Sequence, residues 1–557
     1  MASLTTDNND QKKESSEKRT LNDSSTPPLS PMPNNTDVDF DPNLLSVNTT
    51  TTNGGSNSAS LSSVSPSKRQ KRDAKNISSS PNMEKYLNPF QDKWSSREDF
   101  NPKPQVRSAP QDAEVGTAGD KLVLVMVGLP ARGKTYIARR VARYLQFFHG
   151  APTKVFNVGN YRREISGAKV GSSFFSNKNA KSLAERQKAA EYAMRDLKQW
   201  LQEKNDKGRV GIFDATNTTK ERREWIIQEL AGIMESKSHI IFVESICNNE
   251  DIINENIRAV KLNMPDYKGE NPEKAVEDFK KRIENYESIY QPISDEELSW
   301  VRLVDAGRQV TMNNIKGFLA GRVVQFLINL HFHPRPIYLS RHGQSEYNKL
   351  QKVGGDSGLS PAGEEYALAL AKYVDEHILV DKIDGIDGNP MHARLFTSSL
   401  RRTKLTARHI KHDTLDDGWI VMRPKVLRNL DEIYAGVFDG YTYKEIQTVA
   451  PEEFEARSRN KLTYRYPRGE SYLDVIDRLA PVIQEIERTK DPILIVGHQG
   501  ILRIIYSYFM DYPREKAPFE KIPLNTIIKL IPDTYDCKEE RKCLIPMSNE
   551  DKNTPSH

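Results

Sequence analysis

Apolar residues first gather at Lys121, where LVLVMV, Leu122 to Val127, forms a short continuous run of strand length. The run stops at Gly128, and a helix-periodic stretch follows from Thr135 to about Phe148. Runs of the same kind recur at Lys154–Val158, Val210–Phe213, His239–Val243 and Val301–Val304. Charged, helix-periodic stretches separate them at Lys178–Lys204, Lys220–Glu235 and Pro272–Ile289. Strands alternating with helices predict a parallel sheet with crossover connections. A long apolar helix, Asn314–His331, closes this half, and the proline-containing segment His333–Pro336 marks a boundary. The alternation then restarts, with strands at Ile337–Leu339, Leu395–Thr397 and Ile493–Val496 and helices at Ala362–Glu376, Leu400–Lys411, Tyr472–Arg488 and Gly500–Phe509. No short-period repeat links the halves, so the pattern predicts two distinct α/β domains.

Upstream of Lys121 the pattern disappears. Met1 to about Ala118 is Ser, Thr, Asn, Asp and Pro with scattered charge, and it has too little apolar surface to offset the entropy of ordering. The expected organisation is a disordered tail over 1–118, a first domain over 119–334, a second over 335–545 and a disordered end over 546–557. Ser or Thr precedes Pro at Thr26, Ser30, Ser65 and Ser80, and a basic cluster spans Lys68, Arg69, Lys71, Arg72 and Lys75. These features read either as a phosphorylatable arm with an import signal or as a solvated linker.

Composition narrows the function classes. The tail accounts for a hydrophobic share of only 37% in 557 residues. Lys and Arg (81) less Asp and Glu (76) leave +5, which argues against a surface built to coat nucleic acid. Cys247, Cys537 and Cys543 contain no CxxC pair, so neither a disulfide framework nor a structural zinc is expected. The most apolar windows, Leu122–Val127 and Val323–Leu330, fall well short of the roughly 20 residues that span a bilayer. With no charged-then-apolar leader, the expectation is a soluble cytoplasmic protein without membrane association, a nuclear pool remaining open.

Two stretches carry chemistry. Gly128, Leu129, Pro130, Ala131, Arg132, Gly133, Lys134 and Thr135 satisfy G-x-x-x-x-G-K-[ST], between a strand and a helix. Its backbone N–H groups would cradle phosphate, Lys134 would reach β- and γ-oxygens, and the Thr135 hydroxyl would meet Mg²⁺. The strand VGIF ends at Asp214, a carboxylate at the sheet's carboxyl edge, placed for Mg²⁺ or an accepting hydroxyl, although such a residue also serves as a helix cap. Arg162, Arg186 and Arg282 either converge on an anionic acceptor or are solvated surface charges.

In the second half, the strand at Ile337 runs into Ser340, Arg341, His342 and Gly343, followed by Ser345 and Asn348. Neutral imidazole is a competent phosphoryl acceptor. Arg402 and His498 also follow predicted strands, where an open α/β sheet places its site. Alone, His342 reads equally as a strand-end histidine satisfied by backbone; with its companions it reads as a nucleophile. Glu432 on a loop is the candidate general acid, with a surface carboxylate as the alternative.

The motifs GLPARGKTY, FNVGNYRRE, FDATNTTKERR, VESIC, MPDY, RHGQSEYN, GGDSGLS, EIYAGV, YRYPRGESY and GHQ, in this order, resemble the bifunctional 6-phosphofructo-2-kinase/fructose-2,6-bisphosphatase family from about Lys121 to Cys537. The resemblance implies a P-loop kinase domain with a mostly parallel sheet and a histidine-phosphatase domain like that of phosphoglycerate mutases, each three-layered. It further implies transfer of the ATP γ-phosphate to O2 of fructose 6-phosphate, and hydrolysis of fructose 2,6-bisphosphate through a phosphohistidine. On matching positions it assigns Lys261 to ATP and Arg162, Arg186, Thr216, Arg282 and Tyr286 to the sugar phosphate. Arg341, Asn348, Arg402 and His498 would stabilise the phosphoryl group on His342. Gly354, Tyr443, Arg457, Lys461, Tyr472, Gln499 and Arg503 would hold the bisphosphate. A homodimer, and protein kinases acting on the tail, are also implied.

The chain departs from that pattern at Ser176, Asn177, Lys178 and Asn179, where Arg-Pro-Asp is usual, and at Asn248 and Asn249, where acids are common. Those changes could weaken the kinase. The competing expectations are a phosphatase whose P-loop half only binds ATP, a polynucleotide kinase-phosphatase, and a catalytically silent interaction protein. The insertion-like stretch Asp384–Ala393 should be peripheral.

Overall fold

The computed structural model describes residues 121–203, 208–234, 236–258, 265–267, 269–305, 307–331, 335–383, 386–390, 392–533 and 536–546. The expected tail over 1–118, residues 547–557 of the expected end over 546–557, Lys261, and residues 384, 385 and 391 of the insertion-like stretch lie outside the described residues.

The first half is built on β1 (Lys121–Val127), β2 (Thr153–Asn157), β3 (Arg209–Asp214), β4 (Ile240–Ile246), β5 (Ser299–Val304) and β6 (Gln309–Asn313), in the order β2-β3-β1-β4-β5-β6. All pair in parallel except β5 with β6. Central β1 reads as continuous hydrophobics because helices cover both its faces. Leu122, Leu124 and Met126 pack with residues of helices Lys134–His149 and Phe318–Asn329, whereas Val123, Val125 and Val127 pack with residues of helix Ala180–Gln202.

The second half contains β7 (Ile337–Arg341), a separate hairpin β8 (Val380–Ile383) and β9 (Ile386–Pro390), then β10 (Arg394–Thr397), β11 (Pro424–Val426), β12 (Ile493–Gly497), β13 (Thr526–Pro532) and β14 (Cys537–Cys543). Its main sheet runs β11-β10-β12-β7-β13-β14. The first four strands are parallel, and β13 pairs antiparallel with both β7 and β14.

The expected strands and helices are present with ends shifted by a few residues; the antiparallel edges are additions. β6 (QVTMN) and β14 (CKEERKC) are polar edge strands, and charge on an edge blunts pairing with other chains while hiding the strand from a search for apolar runs. Strand β2 stops at Asn157, one residue short of expectation, because Asn157 caps helix Val158–Ser166 by accepting from the Asn160 N–H.

The halves share one apolar core. Residues of helix Lys134–His149, which begins in the glycine loop, pack with those of helices Tyr472–Arg488 and Gln499–Phe509. Arg140 Nη2 meets Glu487 Oε2 at 2.5 Å, Arg335 approaches the same oxygen at 3.7 Å, and Tyr508 donates to Oε1 at 2.9 Å. Glu487 is 1% exposed, and the Arg140 guanidinium lies over the rings of Tyr136 and Phe509. The two arginines hold the Glu487 carboxyl below its usual range against the opposing effect of burial. Glu487→Ala would strand two buried guanidinium groups, so a loss of about 3–5 kcal/mol is expected in urea unfolding followed by far-UV circular dichroism.

Candidate functional site

Each sheet carries a cavity at the carboxyl ends of its parallel strands. In the first half, β1 ends at Gly128, whose φ is +131° and whose ideal Cβ would sit 2.4 Å from the Ser245 carbonyl. Only glycine fits there, and the loop folds back over β4 as a result. Ser245 donates to the Arg132 carbonyl, Asn217 donates to the Met126 carbonyl at 2.8 Å, and Gly128 N–H donates to Thr216 at 2.9 Å. Lys134 is folded back onto the Leu129 carbonyl at 2.6 Å.

Pro130 to Thr135 line a cavity of about 750 Å³ together with Asp214 and Thr216; Gly128 and Leu129 form the loop's base. Asn157 donates to Asp214 Oδ2 at 2.5 Å, so the other carboxylate oxygen is the one available to a cation or a hydroxyl proton. Arg162, Arg186, Arg282 and Tyr286 line the same cavity, so the dispersed arginines do converge. Arg186 lies 5.8 Å from the Tyr286 ring centre, and Arg282 lies 3.7 Å from that of Phe175. Lys261 lies outside the described residues.

The departures noted in the sequence are absorbed locally. Asn179 caps helix Ala180–Gln202 and Asn249 caps helix Glu250–Asn256, each accepting backbone N–H groups. Asn177 Oδ1 and the Ser176 carbonyl lie 3.4 and 3.5 Å from Arg186, so the altered segment supplies partners for a cavity arginine. Sequence reasoning missed Arg222, which lines the cavity, donates to Gln187 and stacks on Trp225. Burial brings its guanidinium down to about 10. Its position in FDATNTTKERR was the available signal.

In the second half, β7 delivers Arg341 and His342, β10 leads to Ser398 and Arg402, and β12 to His498. His342 Nδ1 donates to the Gly343 carbonyl at 2.8 Å, which leaves the Nε2 lone pair uncommitted to a proton. Arg402 Nε shares its proton between His342 Nε2 and His498 Nδ1, at 3.2 Å from each. His498 Nε2 must then carry its hydrogen toward Ser398 Oγ at 2.7 Å. Burial, then Arg402 and Arg341, push the His342 imidazole well below its ordinary value. His498 is likewise pushed down, by burial and then Arg402. Both rings are therefore neutral near pH 7. Ser398, which sets the His498 tautomer, was not anticipated.

Arg341, His342, Arg402 and Glu432 line a cavity of about 500 Å³, while His498 backs Arg402 rather than facing the space. Burial brings Arg341 down to about 10. Asn348 Oδ1 accepts from Ser345 N–H and Oγ–H at 3.0 Å each, leaving its amide N–H groups for a ligand. Glu432 is pinned by Gly500 N–H at 3.2 and 3.3 Å, and a Cβ on residue 500 would meet its Oε1 at 2.6 Å. Gly354 lines the wall, and the adjoining Gly355 carbonyl holds Arg402 Nη1 at 2.6 Å.

Tyr443, Arg457, Lys461, Tyr472, Gln499 and Arg503 line the remainder of this cavity. Arg457 donates to the hydroxyls of Tyr443 and Tyr466, both at 2.8 Å, and Arg503 lies 3.3 Å from that of Tyr472. Lys461 reaches the Pro518 carbonyl at 3.0 Å, and burial followed by Arg503 and Arg457 brings its ammonium down to about 7. Among the described residues no helix is long and apolar enough to cross a membrane, and no cluster of three metal-ligating side chains occurs.

Residues 111–334 match the family model for 6-phosphofructo-2-kinase, and residues 337–541 match that for branch 1 of the histidine phosphatase superfamily. The chain is 44% identical over 441 residues to the 6-phosphofructo-2-kinase/fructose-2,6-bisphosphatase of Arabidopsis thaliana, covering 78% of this chain and 55%, little more than half, of that relative. It is 41% identical over 437 residues to 6-phosphofructo-2-kinase/fructose-2,6-bisphosphatase 3 of Rattus norvegicus, covering 78% of this chain and 74% of the relative. With human 6-phosphofructo-2-kinase/fructose-2,6-bisphosphatase 1 the identity is 43% over 424 residues, covering 75% and 83%. Among solved structures, the alpha-ribazole phosphatase from Shigella flexneri superposes at a TM-score of 0.31 with 19% identity, over 38% of this chain and all of its own.

Proposed function

The chain belongs to the 6-phosphofructo-2-kinase/fructose-2,6-bisphosphatase family, and from that premise we propose that its two cavities work in opposition, one adding the 2-phosphate of fructose 2,6-bisphosphate and the other removing it. The single observation that carries this reading is the presence in one chain of a complete glycine loop and of a neutral His342 whose Nε2 faces a guanidinium.

In the first cavity the loop amides and Lys134 hold the nucleotide phosphates, and Lys134 exchanges the Leu129 carbonyl for phosphate oxygen. Arg162, Arg186, Arg282 and Tyr286 hold fructose 6-phosphate, and Asp214 takes the proton of the O2 hydroxyl as that oxygen attacks phosphorus. The Thr135 hydroxyl and the Asp214 carboxylate suit Mg²⁺, a cation that takes few protein ligands beside phosphate oxygens. When bound, Mg²⁺ would neutralise charge on the phosphates.

In the second cavity, His342 Nε2 attacks the 2-phosphoryl group, the P–O2 bond breaks, and Glu432 gives its proton to the departing O2. Water then attacks the phosphohistidine, Glu432 regains a proton from it, and the P–N bond breaks to restore neutral His342. Arg341, Arg402 and the Asn348 amide stabilise charge on the phosphoryl oxygens. His498, held by Ser398, keeps Arg402 aimed at Nε2.

Arg457, Lys461 and Arg503 receive the 6-phosphate. A dianion there favours the ammonium form of Lys461. Because its free-state value is about 7, kcat/KM for the bisphosphate should fall as pH rises through that value, and Lys461→Arg should flatten that limb while retaining activity. A pH–rate profile of both proteins checks this. The overall reading is tested on one preparation: with ATP, Mg²⁺ and fructose 6-phosphate the chain should form the 2-phosphorylated sugar, and with the bisphosphate it should release inorganic phosphate. Tight ATP binding without a sugar product would leave only the phosphatase. A homodimer, a cytoplasmic location and phosphorylation of the tail complete the proposal.

A further inference from the structure

Within the reading of the first cavity as the fructose 6-phosphate site, we infer that Asp266 is a positioning residue that gathers three arginines into one cradle for the sugar's phosphate. Its Oδ2 lies 2.7 Å from Arg162 Nη2, 3.5 Å from Arg163 Nη1 and 3.6 Å from Arg282 Nη1. The residue is 2% exposed, yet it lines the cavity. Its Oδ1 finds no hydrogen-bond partner, and neither does the buried Nε of Arg282.

A carboxylate this deep is costly unless its charge is balanced. Here the balance is overfilled: three guanidinium groups and one carboxylate leave a charge of +2. That surplus matches a phosphate monoester, which carries about −1.5 to −2 near neutral pH. Without Asp266 the three cations would repel one another across a low-dielectric pocket and splay apart. With it they stay convergent before the substrate arrives, and binding need not assemble them.

The carboxylate is itself anchored. Tyr267, the next residue, donates to Asp278 Oδ2 at 2.9 Å, and Asp278 Oδ1 accepts the Ser172 N–H at 2.8 Å. Asp278 lies one turn before Arg282 on helix Pro272–Glu287, so the same tether fixes both the acid and one of its cations. Arg162 is steadied separately by the Gly167 carbonyl at 3.2 Å, and Arg282 by the face of Phe175. Asp214, not Asp266, sits beside the glycine loop, which keeps the proton-transfer role and the positioning role on different carboxylates.

The experiment uses the full chain and Asp266→Asn, which keeps shape and removes charge. KM for fructose 6-phosphate should rise at least about tenfold, the scale of one weakened charge-assisted hydrogen bond, while KM for ATP and the phosphatase kcat/KM stay within about twofold. In an Arg162→Ala background the same substitution should cost less than in the wild type, because it acts through that arginine. An unchanged sugar KM overturns the inference, as does an equal loss of ATP binding or of phosphatase activity, which would mark a structural role. A fall in kcat alone would mark a catalytic base instead and also overturn it. If the unsubstituted chain phosphorylates no fructose 6-phosphate, the reading of the cavity falls and takes the inference with it; if it does and the variant matches it, only Asp266's role falls.

Discussion

His342→Ala should abolish fructose-2,6-bisphosphatase activity, lowering kcat by on the order of 10³-fold or more, while the kinase rate of the same protein stays within about twofold. The size follows from the chemistry. No second imidazole lines the cavity: Arg341, Arg402, Arg457 and Arg503 are cations, Lys461 is turned to the Pro518 carbonyl, and His498 lies behind Arg402 with its Nδ1 turned to the guanidinium. Without the imidazole the hydrolysis would need direct attack by water, with Glu432 the carboxylate lining the cavity that could serve as its base. Rapid quenching of wild type with bisphosphate labelled at the 2-phosphate should trap acid-labile radioactivity on the protein, and the variant should trap none. Turnover in the variant at the wild-type rate would sink the phosphohistidine route. Because His342 lines the second cavity and the glycine loop lines the first, kinase activity serves as the control for folding.

The reciprocal substitution, Lys134→Ala, should lower kinase kcat by about 10²–10³-fold, the range for removing one group that stabilises transition-state charge. Lys134 is buried and already desolvated on the Leu129 carbonyl, so delivering it to a phosphate exchanges one neutral acceptor for an anionic one. The phosphatase rate should be unaffected, because the contact of Lys134 with the Leu129 carbonyl lies within the glycine loop of the first half. A paired assay of both activities in the two variants, each normalised to wild type, would give opposite patterns. Parallel losses in both would instead mark damage to the shared core.

Much of this was legible because the chemistry sits where strands end. Gly128 to Thr135, Asp214, His342 and His498 each follow a buried apolar run, and such runs are the strongest signal in the chain. The arginines were less legible. Arg162, Arg186 and Arg282 lie on helices, where a charge reads equally as solvent-facing, and only the fold turns them toward one cavity. Arg222 and Asp266 were passed over for the same reason: convergence from separate segments leaves no periodicity. At Asn179 and Asn249, where departures from the family pattern suggested a weakened kinase, the fold shows helix caps, a local role that the family comparison alone did not reveal. Ser398 was invisible because its importance depends on which nitrogen of His498 holds the proton, a property of the assembled site. The edge strands β6 and β14 escaped through their polarity.

The buried pairing of Arg140 with Glu487 has a practical corollary for dissection. The family matches break at residues 334 and 337, which invites expression of either half alone. Such a fragment would bare the apolar flank of helix Tyr472–Arg488 or of helix Lys134–His149 and leave a lone ion facing water where its counter-ion had been. Anyone wishing to study one activity in isolation would do better to silence the other by point substitution than to cut the polypeptide.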